Sequence, residues 1–228
     1  MSGKRTFGAD EAGRGPILGP MVIAVVGLDR GASISLSKRG VCDSKGFGAG
    51  ASARQKRREL AQIVRERAPL HSVRVIDADE VDRYTFRGLL NALEREVVHD
   101  LLVELGANPV DRIVCDGANM FAPLRKFFPQ LEAVNQGESK HVSVAAASIL
   151  AKDARDDAFA EIAARYEGEF GTLRGGGYLN AATRTFLDAY QDKHGALPPE
   201  ARKSWGAQKV PSPQVGLFDS TSSRREPT

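Results

Sequence analysis

Two cysteines, one tryptophan and four histidines in 228 residues leave little material for several kinds of protein. Cys42 and Cys115 stand far apart, which argues against a disulfide framework and against a zinc site built on thiolates. No apolar run is long enough to span a bilayer, and Met1 to Arg5 leads into no signal-peptide core. These shortages predict a cytosolic chain. The sequence also lacks both the Gly-Lys-Ser/Thr ending of a phosphate loop and the Gly-x-Gly-x-x-Gly spacing, so a nucleotide-driven ATPase is not indicated. Charge of one sign is not scarce: the formal net charge is only +3, with Arg54, Lys56, Arg57 and Arg58 clustered. Such balance permits nucleic-acid binding without demonstrating it, and the cluster reads equally well as a solvated helix face.

Present instead are carboxylates at the ends of apolar segments. Phe7 to Pro20 reads Phe-Gly-Ala-Asp-Glu-Ala-Gly-Arg-Gly-Pro-Ile-Leu-Gly-Pro. Asp10 and Glu11 end a strand expected over residues 4–11, and adjacent strand residues point to opposite faces. Gly13, Gly15 and Gly19 allow close backbone approach, while Arg14 offers a planar cation suited to phosphate. A second, buried strand is expected over Met21–Leu28, with the glycines forming the turn between. Further strands are expected at His71–Ile76, Arg112–Cys115 and Leu131–Val134. Helices are expected after a Ser52 cap through about Arg67, over Phe86–Leu105, His141–Tyr166 and Thr183–Tyr190. Strands first and helices alternating later predict a mixed-sheet α/β domain over residues 1–206. Residues 207–228, with Pro211-Ser212-Pro213 and a Ser/Arg/Pro ending, read as a disordered tail.

The Asp10-Glu11-Ala-Gly-Arg-Gly-Pro string resembles the N-terminal signature of the type 2 ribonucleases H, above all ribonuclease HII. Asp116, at the end of the Arg112–Cys115 strand, matches an aspartate of that family. Ala146-Ala147-Ser148-Ile149-Leu150-Ala151-Lys152 matches its helical motif, and counting four residues on gives Asp156, with Asp153 and Asp157 as helical neighbours. The resemblance covers roughly residues 5–206. It implies a ribonuclease H-like fold with a mixed five-stranded sheet and a helical C-terminal part. It also implies an endoribonuclease that cleaves the RNA of RNA–DNA hybrids and nicks 5′ to ribonucleotides embedded in duplex DNA, serving ribonucleotide and primer removal.

On this reading Asp10, Glu11, Asp116 and Asp156 are the catalytic and metal-binding quartet. Hard oxygen donors without a His/Cys set favour Mg²⁺ or Mn²⁺, at a two-ion site, and four acids so close would raise one another's pKa values unless cations bind. The resemblance places the reader of the ribose 2′-hydroxyl on Gly13, Arg14, Gly15 and Tyr178, and a phosphate contact on Lys45. Leu179-Asn180 replaces the proline that usually follows the tyrosine. Glu138-Ser139-Lys140-His141 looks closer to the sister type, ribonuclease HIII, whereas Arg14 speaks for HII. Arg202-Lys203-Ser204-Trp205 resembles an archaeal-type ending. Gln214, Leu217 and Phe218 resemble the pentapeptide with which bacterial proteins dock on the sliding clamp. The competing class is a non-catalytic hybrid binder or clamp-tethered adaptor, which would gain nothing from acids clustered beside phosphates.

Overall fold

The computed structural model describes residues 5–42, 50–117 and 119–207. Five strands form one sheet in the order β3-β2-β1-β4-β5: β1 (Thr6–Ala12), β2 (Met21–Leu28), β3 (Leu70–Ile76), β4 (Arg112–Asp116) and β5 (Leu131–Val134). The first three are antiparallel neighbours, whereas β4 runs parallel to both β1 and β5. The expected mixed sheet is therefore present.

Alternation along β2 explains the layers. Met21, Ile23 and Val25 face one core with α3 (Ala78–Thr85) and α4 (Leu90–Glu104), while Val22, Ala24 and Val26 face another with α1 (Arg30–Lys38), α2 (Ala51–Arg67) and α5 (Val142–Phe170). Fully buried Ala145, Ala146, Ala147 and Ala151 let α5 lie close against the sheet. The approach is tight at Gly8, where a Cβ would stand 2.2 Å from the Ser143 carbonyl carbon. A third cluster joins Ile17 and Leu18 to Phe159, Ile162 and Tyr166 of α5, and to Phe186 and Leu187 of α6 (Ala181–His194). A final turn, α7 (Lys203–Ala207), closes against α3.

Several boundaries differ from the sequence expectation. The single helix expected over 86–105 begins only at Leu90, because Gly88 takes φ +70 and ends the preceding turn. Helices α1 and α3 and the short α7 were not among the expected helices. Asp29 accepts from the Ala32 amide and Asp77 from the Glu80 amide, each at 2.7 Å, so single capping carboxylates start α1 and α3. The residue at the N-cap of α2 is Gly50 rather than Ser52, and α5 runs one turn past Tyr166 until Gly171 at φ +75.

Candidate active site

Strand alternation sets the site. Asp10 shares a face with Gly8 and Ala12, toward α5, and Glu11 shares the opposite face with Phe7 and Ala9, toward α4. The Asp116 side chain leaves the C-terminal end of the adjacent parallel strand, where α/β sheets place functional groups. One oxygen each from Asp10, Asp116 and Glu138 lie within 4.8 Å of one another. The expected quartet is thus assembled differently: Asp10 and Asp116 meet, and the third acid of the group is Glu138.

Glu138 reaches the group from a short 3₁₀ turn, Gly137–Ser139, just beyond β5. Gln136 before it takes φ 59, the only left-handed non-glycine among the described residues, and Gly137 packs so closely that a Cβ would stand 3.0 Å from Val134. Ser148 of α5 donates to Glu138 at 3.2 Å, and the Lys152 ammonium lies 3.7 Å away. The same Ser148 hydroxyl also favours the ionised form of Asp10. The Ala-Ala-Ser-Ile-Leu-Ala-Lys motif therefore serves the acids through its serine and lysine.

Asp156 does not join them. It lies eight residues beyond Ser148 on α5, about 12 Å further along the helix axis. Arg57 of α2 takes it instead, with Nη2 at 2.6 Å and Nε at 3.1 Å. Arg58 pairs with Asp157 and Arg65 with Asp153, so the three α5 aspartates bind α2 to α5. The physical reason is the basic helix opposite, which supplies a guanidinium to each carboxylate. Glu138 lies four residues past the end of β5 and ten before Ser148.

Electrostatics agree with a cation site. Asp10 is 6% exposed, and burial, then the charges of Glu11 and Glu138, push its pKa up to about 8. The Ser148 hydroxyl and the Glu11 amide, 2.9 Å from Asp10 Oδ1, oppose that rise. Burial also raises Glu11, helped by Asp116 and Glu138 and opposed by Arg14. Three hard oxygen donors that cannot all be comfortably ionised fit a divalent cation, which would restore the charge balance.

Beside the acids opens a cavity of about 550 Å³. Glu11 and Asp116 line one part, and Arg14, Asn91, Arg95 and Asn119 also border it. Arg14 is tied to α4: Nη1 lies 2.9 Å from Glu94 Oε1, and Nη2 donates to Asn91 at 2.7 Å. Glu94 is fully buried, and desolvation pushes it up to about 7 against the pull of Arg14.

Tyr178 and the Gly13-Arg14-Gly15 turn do come together. Gly177, at φ +78, accepts from the Ile17 and Leu18 amides at 3.0 and 3.1 Å. A Cβ at Gly177 would stand 2.1 Å from the Leu18 carbonyl oxygen, so only glycine fits there. This docking brings the Tyr178 ring beside exposed Gly15, whose added Cβ would meet Tyr178 Cε1 at 3.4 Å. Tyr178 itself is 55% exposed, a free aromatic face at the edge of the site. Lys45, Gln214, Leu217 and Phe218 lie outside the described residues.

A partly buried acid cluster on a mixed sheet, with a basic turn and an exposed tyrosine beside it, defines a ribonuclease H-like hydrolase. The ribonuclease HII family model matches residues 7–208. A ribonuclease HII of Pyrobaculum neutrophilum is 38% identical over 215 residues, covering 90% of this chain and 97% of that one. The crystal structure of ribonuclease H2 from Pyrococcus horikoshii superposes with a TM-score of 0.72 at 30% identity, over 88% of this chain and 93% of that one. Ribonuclease HII of Archaeoglobus fulgidus, solved in complex with PCNA, gives a TM-score of 0.72 at 26% identity, over 88% and 94% of the two chains. The chain belongs to the ribonuclease HII family and is an endoribonuclease.

Proposed function

We propose that this chain cleaves the RNA strand of RNA–DNA hybrids and nicks duplex DNA on the 5′ side of an embedded ribonucleotide, leaving 3′-hydroxyl and 5′-phosphate ends. The observation that carries the reading is the convergence of Asp10, Asp116 and Glu138 beside a turn that also holds an exposed tyrosine. Asp10, Asp116 and Glu138 would hold Mg²⁺ or Mn²⁺, with Glu11 facing the neighbouring cavity. Such cations, once bound, supply an activated water and charge stabilisation at the leaving oxygen.

The remaining roles fall to the chain itself. Ser148 and Lys152 fix Glu138 and keep its oxygens turned to Asp10. Glu94 and Asn91 hold the Arg14 guanidinium at the cavity wall, where a phosphate oxygen would find a preset cation. Tyr178 offers a stacking face for the sugar or base at the ribonucleotide, and the backbone of Gly13 to Gly15 offers polar groups to its 2′-hydroxyl.

Two substitutions test the assignment of the acids. Glu138→Gln is expected to lower the Mg²⁺-dependent nicking rate at least about a hundredfold, as loss of a charged metal ligand should. Asp156→Asn removes only an ion pair that is partly solvated, so nicking should stay within a few-fold, with stability lowered by at most about 1 kcal/mol. Denaturing gels of a duplex holding one ribonucleotide, and of a long hybrid, read both. Loss of nicking in Asp156→Asn with full activity in Glu138→Gln would restore the quartet expected from sequence.

A further inference from the structure

Every carbonyl of the 13–19 turn except that of Pro16 has a donor, and most of those donors come from one short C-terminal segment. Arg202 Nη2 donates to the Gly13 carbonyl at 2.6 Å and Nη1 to Arg14 at 2.8 Å, while Nη2 and Nε reach Gly19 at 3.0 and 3.2 Å. The Trp205 indole N–H donates to the Gly15 carbonyl at 3.0 Å. The Arg202 amide donates to the Ile17 carbonyl at 2.8 Å, next to the Leu18–Ala201 bridge. Arg155 of α5 takes the Leu18 carbonyl at 3.1 Å and also grips Gly176 at 2.7 Å.

Arg202 is completely buried and has no ion-pair partner within 4 Å among the described residues. Burial and then the Arg155 charge lower it to about 10, so it stays protonated at neutral pH. A buried cation spent on three carbonyls of one turn is costly unless that turn must hold one shape. Asp82 anchors the arm from the other side, accepting from the Lys203 amide at 2.7 Å and the Ser204 amide at 3.1 Å.

Among the described residues no peptide is cis, and in a trans unit the carbonyl and the following N–H point opposite ways. With the Gly13 and Arg14 carbonyls turned to Arg202, the amides of Arg14 and Gly15 point away from it, and Gly15 stands beside the Tyr178 ring, where an added Cβ would meet Cε1 at 3.4 Å. We propose that Arg202, braced by Trp205, is a positioning residue that displays these two amides to an acceptor oxygen of the ribonucleotide. It thereby sets selectivity for ribose over deoxyribose. This rests on the reading of the turn as the ribose sensor given above.

The test compares affinities of the full chain for a labelled duplex with one ribonucleotide and for the all-DNA duplex, with Ca²⁺ replacing the catalytic cation. Wild type should favour the ribonucleotide duplex. Arg202→Lys, which keeps the charge but loses the three-pronged grip, should cut that preference by about tenfold, the worth of one charge-assisted hydrogen bond. General loosening would lower both affinities alike and leave their ratio intact. Trp205→Phe keeps the ring and loses only the indole donor, so it decides the matter if circular dichroism shows Arg202→Lys unfolded; it should cut the preference about threefold. Folded variants that retain the wild-type ratio overturn the inference alone. A wild type without preference overturns the ribose-sensor reading and the inference with it.

Discussion

Asp10 illustrates how one buried carboxyl links stability, pH and cation binding. The folded chain holds its proton up to about pH 8, whereas the ordinary aspartate value is 3.8. Between those values the native state carries more protons than the unfolded one, so stability falls as pH rises. A cation displaces that proton, so its affinity should climb across the same interval. Without divalent cations, the melting temperature is expected to drop from pH 5 to pH 8, and Asp10→Asn should flatten the slope. Mg²⁺ should raise the wild-type melting temperature more at pH 8 than at pH 6. Glu94, itself raised to about 7, adds its own slope but persists in the variant, so the difference between the two proteins reads Asp10 together with the Glu11 charge beside it. Calorimetric melts with equal slopes for both would contradict this account. At this scale the meeting of Asp10 and Asp116 was legible because each stands at or near the end of a strand. Asp156 stands apart from the group because a motif fixes spacing along a helix but says nothing about the partner on the other side, here Arg57. Glu138 was hidden because its direction depends on the left-handed Gln136, a backbone choice that no side-chain pattern announces.

Among the elements, α5 carries the site and the fold together. It supplies Ser148 to the acids, Arg155 to the turn and four small residues to the sheet, all from one helix whose position is fixed at Gly8. A methyl at residue 8 would overlap the backbone of Ser143 and Val144, at 2.2 and 2.3 Å, and backbone cannot rotate away. Gly8→Ala is therefore expected to destabilise the chain by at least about 3 kcal/mol, at or above the upper end of ordinary overpacking. Urea unfolding should show a lower midpoint at unchanged slope, and a loss below about 1 kcal/mol would mean that α5 can shift freely. Strands β1, β2 and β4 and helix α5 were legible as continuous apolar or alanine-rich runs. Helices α1 and α3 were not, since both are short and polar, and depend on Asp29 and Asp77 as caps rather than on apolar periodicity. The break between α3 and α4 was missed because Leu89 and Leu90 continue the apolar spacing straight across Gly88.

At the scale of the molecule, the C-terminal arm closes the site from the far end of the chain. Residues 200–205 pair with Ile17 to Gly19, cover the third apolar cluster and grip the turn that follows Asp10 and Glu11. The family match ends at residue 208, directly after this arm. Catalysis and docking should therefore separate at that point. Deleting residues 209–228 is expected to leave the melting temperature within about 2 °C and the nicking rate within about twofold. Deleting residues 198–228 should abolish activity, because Ile17 and Leu18 lose their cover and the carbonyls of Gly13, Arg14, Gly15, Ile17 and Gly19 lose their donors. The shorter deletion also removes Gln214, Leu217 and Phe218, the pentapeptide expected to dock on a sliding clamp. A titration of purified bacterial clamp against full-length and shortened chains reads that role directly, with binding lost in the shortened chain. Because the Archaeoglobus fulgidus relative was solved with PCNA, the same titration with an archaeal clamp shows which clamp the tail fits. Equal binding by both chains would move the contact onto the folded part. A large fall in nicking on losing residues 209–228 would show that the tail belongs to the catalytic unit after all.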